Sequence, residues 1–543
     1  MLKSCYRLVQ ASRFLLLTSG VLACCGQALS AADYFLTIGG GYNPSGNQAS
    51  LEANVVFFQQ VLDEKHRGSR SHDIYFADGD EPVADLQVLA EKKSRPDRPA
   101  TDLLASLHRR RGAEQVEYRN HRVPNIAGAL NPKLVHDRLE AIVKNARRGD
   151  RLIVYVTAHG SEGDKGEQFN TTIDCWNDKK ITAREFTGWL NKLPLSVPVV
   201  MVMAQCYCGG FGHSIFNDLD ESKGLAPQLR AGFFAQQHDL PAAGCRPDIS
   251  NDEEFSSYFW GAIAGRSRTS VPITGCDIDG NGVVSFAEAY AYAVIAGHTI
   301  DIPLRTSDVL LRTYSRMTLA DAEATSARPE VNSASGKDSE PESKPSATAP
   351  GGNDRPPSNR SSLTGTLQTF INQGRPVSGR IVTGLSKGLG FSLQDDAASV
   401  IIAYDAHRKN ARRPGQGGGR RRSGSGRREL LQKITDKWPE LGDAKHWEES
   451  PLLKPDNQEH LLAELKQLPA WKSYDQRRQQ SAELEEQSER HELREVKFRR
   501  LINTMETIVL EKHLPTVATP EVVERYRQLI GLEESTLGST ENR

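Results

Sequence analysis

Between Asp33 and Arg312 the chain alternates two kinds of apolar pattern. Short continuous runs, Tyr34–Ile38, Asp73–Phe76, Leu152–Thr157, Val199–Met203 and Gly232–Ala235, read as strands buried on both faces. Between them, residues 48–63, 132–147, 182–192 and 253–265 repeat their apolar positions every three to four residues, the period of an amphipathic helix. Such alternation predicts an α/β fold, with a mostly parallel sheet covered by helices on both sides, over residues 32–320. Ligands of such sheets sit at the carboxyl ends of the strands, so the residues following each run are the first candidates for chemistry.

Beyond this region the pattern breaks. From 326 to 362 the only aliphatic or aromatic side chain larger than alanine is Val331. A stretch so poor in apolar groups cannot offset its ordering entropy and is expected to be a disordered linker. Residues 363–405 form a small region of unclear fold with a weak strand signal. Residues 408–428 hold nine Lys and Arg interleaved with glycine and no acid, a solvated linker or an electrostatic anchor for an acidic polymer or surface. Spacings of three and four around Leu493, Leu501, Met505 and Ile508 make 429–535 a mainly helical region.

The 543 residues exceed what one compact domain holds, in keeping with this division. Lys and Arg total 68 against 69 Asp and Glu, so no overall field draws the molecule to nucleic acid, and no specific nucleic-acid partner is expected. At the start, Lys3, Arg7 and Arg13 precede an apolar run, Phe14–Ala23, and a small-residue site at Leu29-Ser30-Ala31, the pattern of a signal peptide over 1–31. Val21-Leu22-Ala23-Cys24 also resembles a bacterial lipoprotein box, which would anchor Cys24 in lipid. Either route gives an exported protein, periplasmic, secreted or held at the cell surface. Cleavage leaves Cys175, Cys206, Cys208, Cys245 and Cys276, an odd set that keeps at least one thiol free or paired with another chain.

Two strand ends carry reactive groups. Ile153-Val154-Tyr155-Val156-Thr157-Ala158 runs into His159-Gly160, and Val199-Val200-Met201-Val202-Met203 runs through Ala204-Gln205 into Cys206. On neighbouring strands they would set an imidazole beside a thiol, the pair nucleophilic catalysis needs, because a free thiol is only a few per cent ionised at neutral pH. Glycines beside both groups let backbone amides approach an oxyanion. Two alternatives share these residues: a metal site using Cys206, Cys208 and His159, which lacks a fourth ligand, and Cys208 as the nucleophile.

Tyr155-Val156-Thr157-Ala158-His159-Gly160-Ser161 resembles the His-Gly block of legumains, the asparaginyl endopeptidases of the caspase-like group of cysteine peptidases. Met203-Ala204-Gln205-Cys206-Tyr207-Cys208-Gly209 resembles their nucleophile block, and Gly39-Gly40-Gly41-Tyr42-Asn43 with its following Gln-Ala helix resembles their first block. The resemblance covers residues 33–312. It implies a caspase-like three-layer α/β/α sandwich and a cysteine endopeptidase acting on protein or peptide substrates. Cys206 would then be the nucleophile, His159 the proton carrier, Asn43 the group orienting the histidine, and the amides of Gly160 and Cys206 the oxyanion donors. The chain departs from the family at Ala204, Gln205 and Pro44-Ser45-Gly46, which leaves the P1 residue open. The acids Asp248, Asp252, Glu253 and Glu254 are either a basic-P1 determinant or a solvated helix start. An inactive or transpeptidase relative, or a calcium-dependent structural protein, is the alternative for the whole.

Asp277-Ile278-Asp279-Gly280-Asn281-Gly282-Val283-Val284-Ser285-Phe286-Ala287-Glu288 fits the twelve-position EF-hand loop. Asp277, Asp279 and Asn281 supply side-chain oxygens, Val283 a carbonyl and Glu288 a bidentate carboxylate, and converging carboxylates repel unless a cation joins them. The loop is expected to bind Ca²⁺ as a structural clip, with affinity of ~10⁻⁴–10⁻³ M. Ser285 and Glu288 are equally the two ends of a helix capping box.

Overall fold

A computed structural model describes residues 31–89, 98–108, 116–247, 249, 254–315, 363–411 and 419–538. All but the last residue of the expected signal peptide, Cys24 within it, the 326–362 linker, and Asp248, Asp252 and Glu253 lie outside the described residues.

The strands are β1 (Ala32–Gly40), β2 (Ser69–Phe76), β3 (Leu86–Leu89), β4 (Val116–Arg119), β5 (Arg151–Ala158), β6 (Thr172–Cys175), β7 (Lys179–Thr182), β8 (Val199–Met203), β9 (Arg230–Phe234) and β10 (Leu304–Arg305). Between them run α1 (Ala49–Lys65), α2 (Pro99–Leu107), α3 (Pro132–Asn145), α4 (Ala183–Leu190), α5 (Phe255–Ala264) and α6 (Phe286–Ala296), with α7 (Thr306–Tyr314) after β10. Six strands form one sheet in the order β10-β9-β8-β5-β1-β2, parallel throughout except for β10. The continuous apolar runs are what a parallel sheet requires: every residue of β5, β8 and β9 is buried. Tyr155 on β5 packs its ring 4.8 Å from Phe58 of α1 and 5.5 Å from Trp260 of α5. On the other face, Phe234 of β9 lies against Gly212 and, with it, Val309 of α7.

The C-terminal region is helical, and it closes on the sheet domain. The weak strand signal over 363–405 is overturned by helices Leu367–Gln373, Pro376–Leu389 and Ala397–Ala411. Ser378, Ile381, Val382 and Leu385 bury one face of the second, at spacings of three, one and three that a strand of period two would split between its faces. The basic stretch is not simply a solvated linker either: its end forms the start of helix Gly419–Lys437, and Arg408 stacks over Tyr404. Leu430 and Ile434 of that helix are buried with Leu104 and Leu107 of α2.

Helices Pro469–Val517 and Pro520–Glu533 complete the chain, and their Phe498, Leu501, Met505, Leu529 and Ile530 join the same core as the sheet. Polar contacts join the two parts as well. Arg151, buried at the start of β5, pairs with Asp33 at 2.8 Å and also donates to Ser535 Oγ and the Thr536 carbonyl at 3.0 Å. Glu533, fully buried, accepts from Arg305 at 3.2 Å and from Ser307 Oγ at 2.9 Å. The tail is thus built into the core of the sheet domain.

Candidate active site

The parallel register sets the geometry of the site. Val156 of β5 pairs with Met203 of β8, so His159 and Cys206 each stand three residues past a matched pair, at one level of the sheet edge. The strand ends approach closely. A Cβ on Gly160 would lie 2.4 Å from the Cys206 carbonyl and 2.7 Å from that of Thr172, so only glycine fits there. A Cβ on Gly209 would meet the Gln236 carbonyl at 2.7 Å. The chain turns sharply after Cys206, with Tyr207 in the left-handed region at φ 59°. Hairpin β6–β7 closes one side: the Asp174 amide donates to the His159 carbonyl at 2.9 Å, and the Asp174 carboxylate accepts from Ser161 and Thr172 hydroxyls.

His159 Nε2 lies 2.8 Å from the Gly46 carbonyl and 3.0 Å from Gln48 Oε1. A carbonyl only accepts, so Nε2 carries the proton and Nδ1 is left with its lone pair. The Tyr42 ring sits edge-on to the imidazole at 5.1 Å. Asn43 does not touch the imidazole. Its Oδ1 accepts from the Gly46 amide at 3.1 Å and from Ser45 Oγ at 2.7 Å, capping the 3₁₀ turn Pro44–Gly46 that presents the Gly46 carbonyl. Asn43 therefore orients His159 through Gly46, one contact further away than the resemblance implies. Gln48, which makes the direct contact, belongs to the Gln-Ala segment that follows the first block, and Gly46 acts through a backbone carbonyl that no sequence signal marks.

Cys206 is part-exposed, and its Sγ accepts from the Ala242 amide at 3.3 Å. Cys208 is fully buried, with its sulfur between the Gln236 amide at 3.3 Å and carbonyl at 3.6 Å, so it is a packing group. Of these two thiols, Cys206 is the accessible one. Burial pushes the Cys206 thiol above its ordinary value, opposed by the Ala242 backbone, and burial pushes His159 down, opposed by the Gly46 carbonyl. Both shifts favour a neutral resting pair over a thiolate–imidazolium ion pair. Among the described residues the Gly160 amide donates no hydrogen bond and the Cys206 amide faces its own sulfur, so an oxyanion beside the thiol could accept from both.

Of the acidic cluster, Glu254 is described. It is buried and bound to Asn54 Nδ2, so it does not stand as an exposed P1 determinant. Ala242, which cradles the thiol, carries no sequence signal, because its role is played by backbone atoms alone.

At the second site, oxygens of Asp277, Asp279 and Glu288 converge to within 4.8 Å of one another. Asp277 accepts from the Gly280 and Gly282 amides at 2.8 Å, and Asn281 Oδ1 from the Val283 amide at 2.9 Å. Gly280 and Gly282 take φ of 75° and 89°, which favours glycine. Val283 is 52% exposed at the loop surface. Glu288 Oε2 accepts from the Ser285 amide at 2.8 Å while Oε1 accepts from Ile278 at 2.6 Å, so the capping box and the carboxylate cluster coexist. This donor set is all oxygen, the kind hard divalent cations take.

No protein-family model matches the chain, and no curated protein matches it. Among solved structures, the chain is similar to the crystal structure of a Geobacter sulfurreducens protein, at 10% identity and a TM-score of 0.26, over 48% of this chain and 88% of that one. A likeness at that score carries no argument about fold or function. Among the described residues no helix is long and apolar enough to cross a membrane.

Proposed function

We propose that this protein is an exported cysteine endopeptidase of the legumain and caspase-like kind, with Cys206 and His159 as its catalytic pair. The observation that carries this reading is the placement of a part-exposed thiol and an Nε2-protonated imidazole at matched levels of adjacent strands, past the ends of β8 and β5. In the reaction, Cys206 Sγ attacks the peptide carbonyl carbon as its proton passes to His159 Nδ1. The oxyanion rests on the Gly160 and Cys206 amides. The tetrahedral species collapses as the C–N bond breaks and His159 returns the proton to the leaving amine. Water then attacks the thioester, His159 taking its proton, and the thiol is regenerated with a free carboxylate.

A neutral resting pair suits this sequence, since the imidazole is a base when the substrate arrives. The nucleophile on β8 and the histidine on β5 of a mostly parallel sheet support the caspase-like form of the α/β fold. The Asp277, Asp279, Asn281, Val283 and Glu288 loop would hold Ca²⁺, which stabilises the start of α6 and takes no part in the chemistry. Profiling the purified protein on a P1-scanning peptide library tests the reading. Cleavage that is lost in Cys206→Ala and kept in Cys208→Ala supports it, and cleavage that survives Cys206→Ala refutes it.

A further inference from the structure

We propose that Arg500, on the C-terminal helix Pro469–Val517, is a positioning residue for Cys206. The inference rests on the reading of Cys206 as the nucleophile and assigns the helical tail a part in building the active site.

Arg500 is 3% exposed, and each of its five N–H groups has a partner. Nε donates to the Asp301 carbonyl at 2.8 Å; Nη1 donates to the Val294 and Gly297 carbonyls at 3.0 and 2.9 Å. Nη2 donates to the Thr299 carbonyl at 3.0 Å and to Thr299 Oγ1 at 3.2 Å. The guanidinium thereby satisfies the Val294 and Gly297 carbonyls at the end of α6 and ties down the bend through residues 297–301. A lysine offers three donors from one point and cannot reproduce this fork.

The fixed bend reaches the nucleophile in two bonds. The Asp301 carboxylate accepts from the Ala243 amide at 2.7 Å, and the neighbouring Ala242 amide donates to Cys206 Sγ at 3.3 Å. A parallel brace runs through Gln236, whose side chain donates to the Pro241 carbonyl at 3.1 Å and accepts from the Ile302 amide at 3.2 Å. The loop over 236–243 thus lies between Cys206 and a bend that the tail holds. Asp301, Tyr258 and Tyr290 face Arg500, with His298 and Lys497 nearby. Asp174, Asp301, Tyr207, Cys208 and Cys245 face Cys206. Arg500 reaches the thiol through geometry, by way of the Ala242 amide that favours the thiolate.

The test is peptide-resolved alkylation of Cys206 by iodoacetamide across pH, with hydrogen exchange of 236–245, on the full chain. Arg500→Gln and the charge-preserving Arg500→Lys are compared with Glu533→Gln, which loosens the tail at Arg305 and Ser307 instead. In both Arg500 variants, Cys206 alkylation at fixed pH is expected to slow about tenfold, a profile moved up by about one pH unit. Exchange of 236–245 is expected to quicken, and Glu533→Gln is expected to leave both readouts at wild type. Arg500→Lys decides the matter if Arg500→Gln does not fold. An Arg500 variant that melts earlier yet keeps the wild-type alkylation profile and exchange overturns the proposal. Alkylation needs no substrate, so a wild-type protein that cleaves nothing would refute the peptidase reading without touching this one.

Discussion

Gly160→Ala is the sharpest perturbation the site offers. Its new Cβ would stand 2.4 Å from the Cys206 carbonyl and 2.7 Å from the Thr172 carbonyl, where ordinary contact begins at 3.4 Å. Both obstacles are backbone atoms, so no side-chain rotation relieves them, and the ends of β5 and β8 must part by about 1 Å. Overpacking of this kind costs about 1–3 kcal/mol. At about 2 °C per kcal/mol for a large domain, the melting temperature falls by about 2–6 °C. The effect on chemistry is larger, since a displacement of about 1 Å between reacting groups costs about 10²-fold in rate. Gly188→Ala is the control: it lies within α4 with nothing inside 4 Å, so it should leave activity alone and gain about 0.5–1 kcal/mol. Calorimetry and kcat/KM on a cleaved peptide measure both. A Gly160→Ala enzyme with wild-type kcat/KM would refute the close approach of the two strand ends.

Three further outcomes follow from the same geometry. Burial holds His159 below the usual imidazole range and Cys206 above the usual thiol range, so kcat/KM should hold level through neutral pH and fall on the acid side as His159 gains its proton; Cys206 alkylation should still be rising in the alkaline range, and a plateau already reached in mild acid would instead reveal an ion pair. Calcium should raise the melting temperature and a chelator should reverse it; a shift that survives Asp277→Ala with Glu288→Ala would leave these residues only their capping role. Cys208→Ala should keep most activity while lowering stability, because the buried sulfur bridges the Gln236 backbone rather than the substrate, and an inactive but folded Cys208→Ala would reverse the assignment of the nucleophile.

The strands and the two reactive groups were legible because they rest on local pattern. Leu152–Thr157 and Val199–Met203 are continuous strand-like runs, and a reactive side chain follows within three residues of each. Register is a long-range property: the sequence left open whether the two strands are neighbours, and the pairing of Val156 with Met203 sets His159 and Cys206 at one level. What escaped the sequence was tertiary. Arg500 and Glu533 look like ordinary charges on polar helices, and only folding reveals that each is buried against the sheet domain. The start of helix Gly419–Lys437 reads as an Arg/Gly linker because glycine and like charge disfavour a helix, whereas Leu430 and Ile434 pack it against α2. Over 376–389 the helical spacing of Ile381, Val382 and Leu385 is diluted by Gly379, Gly384 and Gly388, which leaves a pattern too weak to mark a helix. Asn43 was drawn to the histidine by resemblance, and the turn it caps supplies the actual contact through Gly46.

The most direct measurement is mass spectrometry of the full-length protein after treatment with a peptidyl acyloxymethyl ketone, which alkylates a thiol only where a peptide binds and the thiol is activated. The account predicts one adduct, on Cys206, abolished by Cys206→Ala and slowed about 10²-fold by His159→Ala. An adduct on Cys208 or Cys245, or labelling of Cys206 at an undiminished rate in His159→Ala, would contradict it.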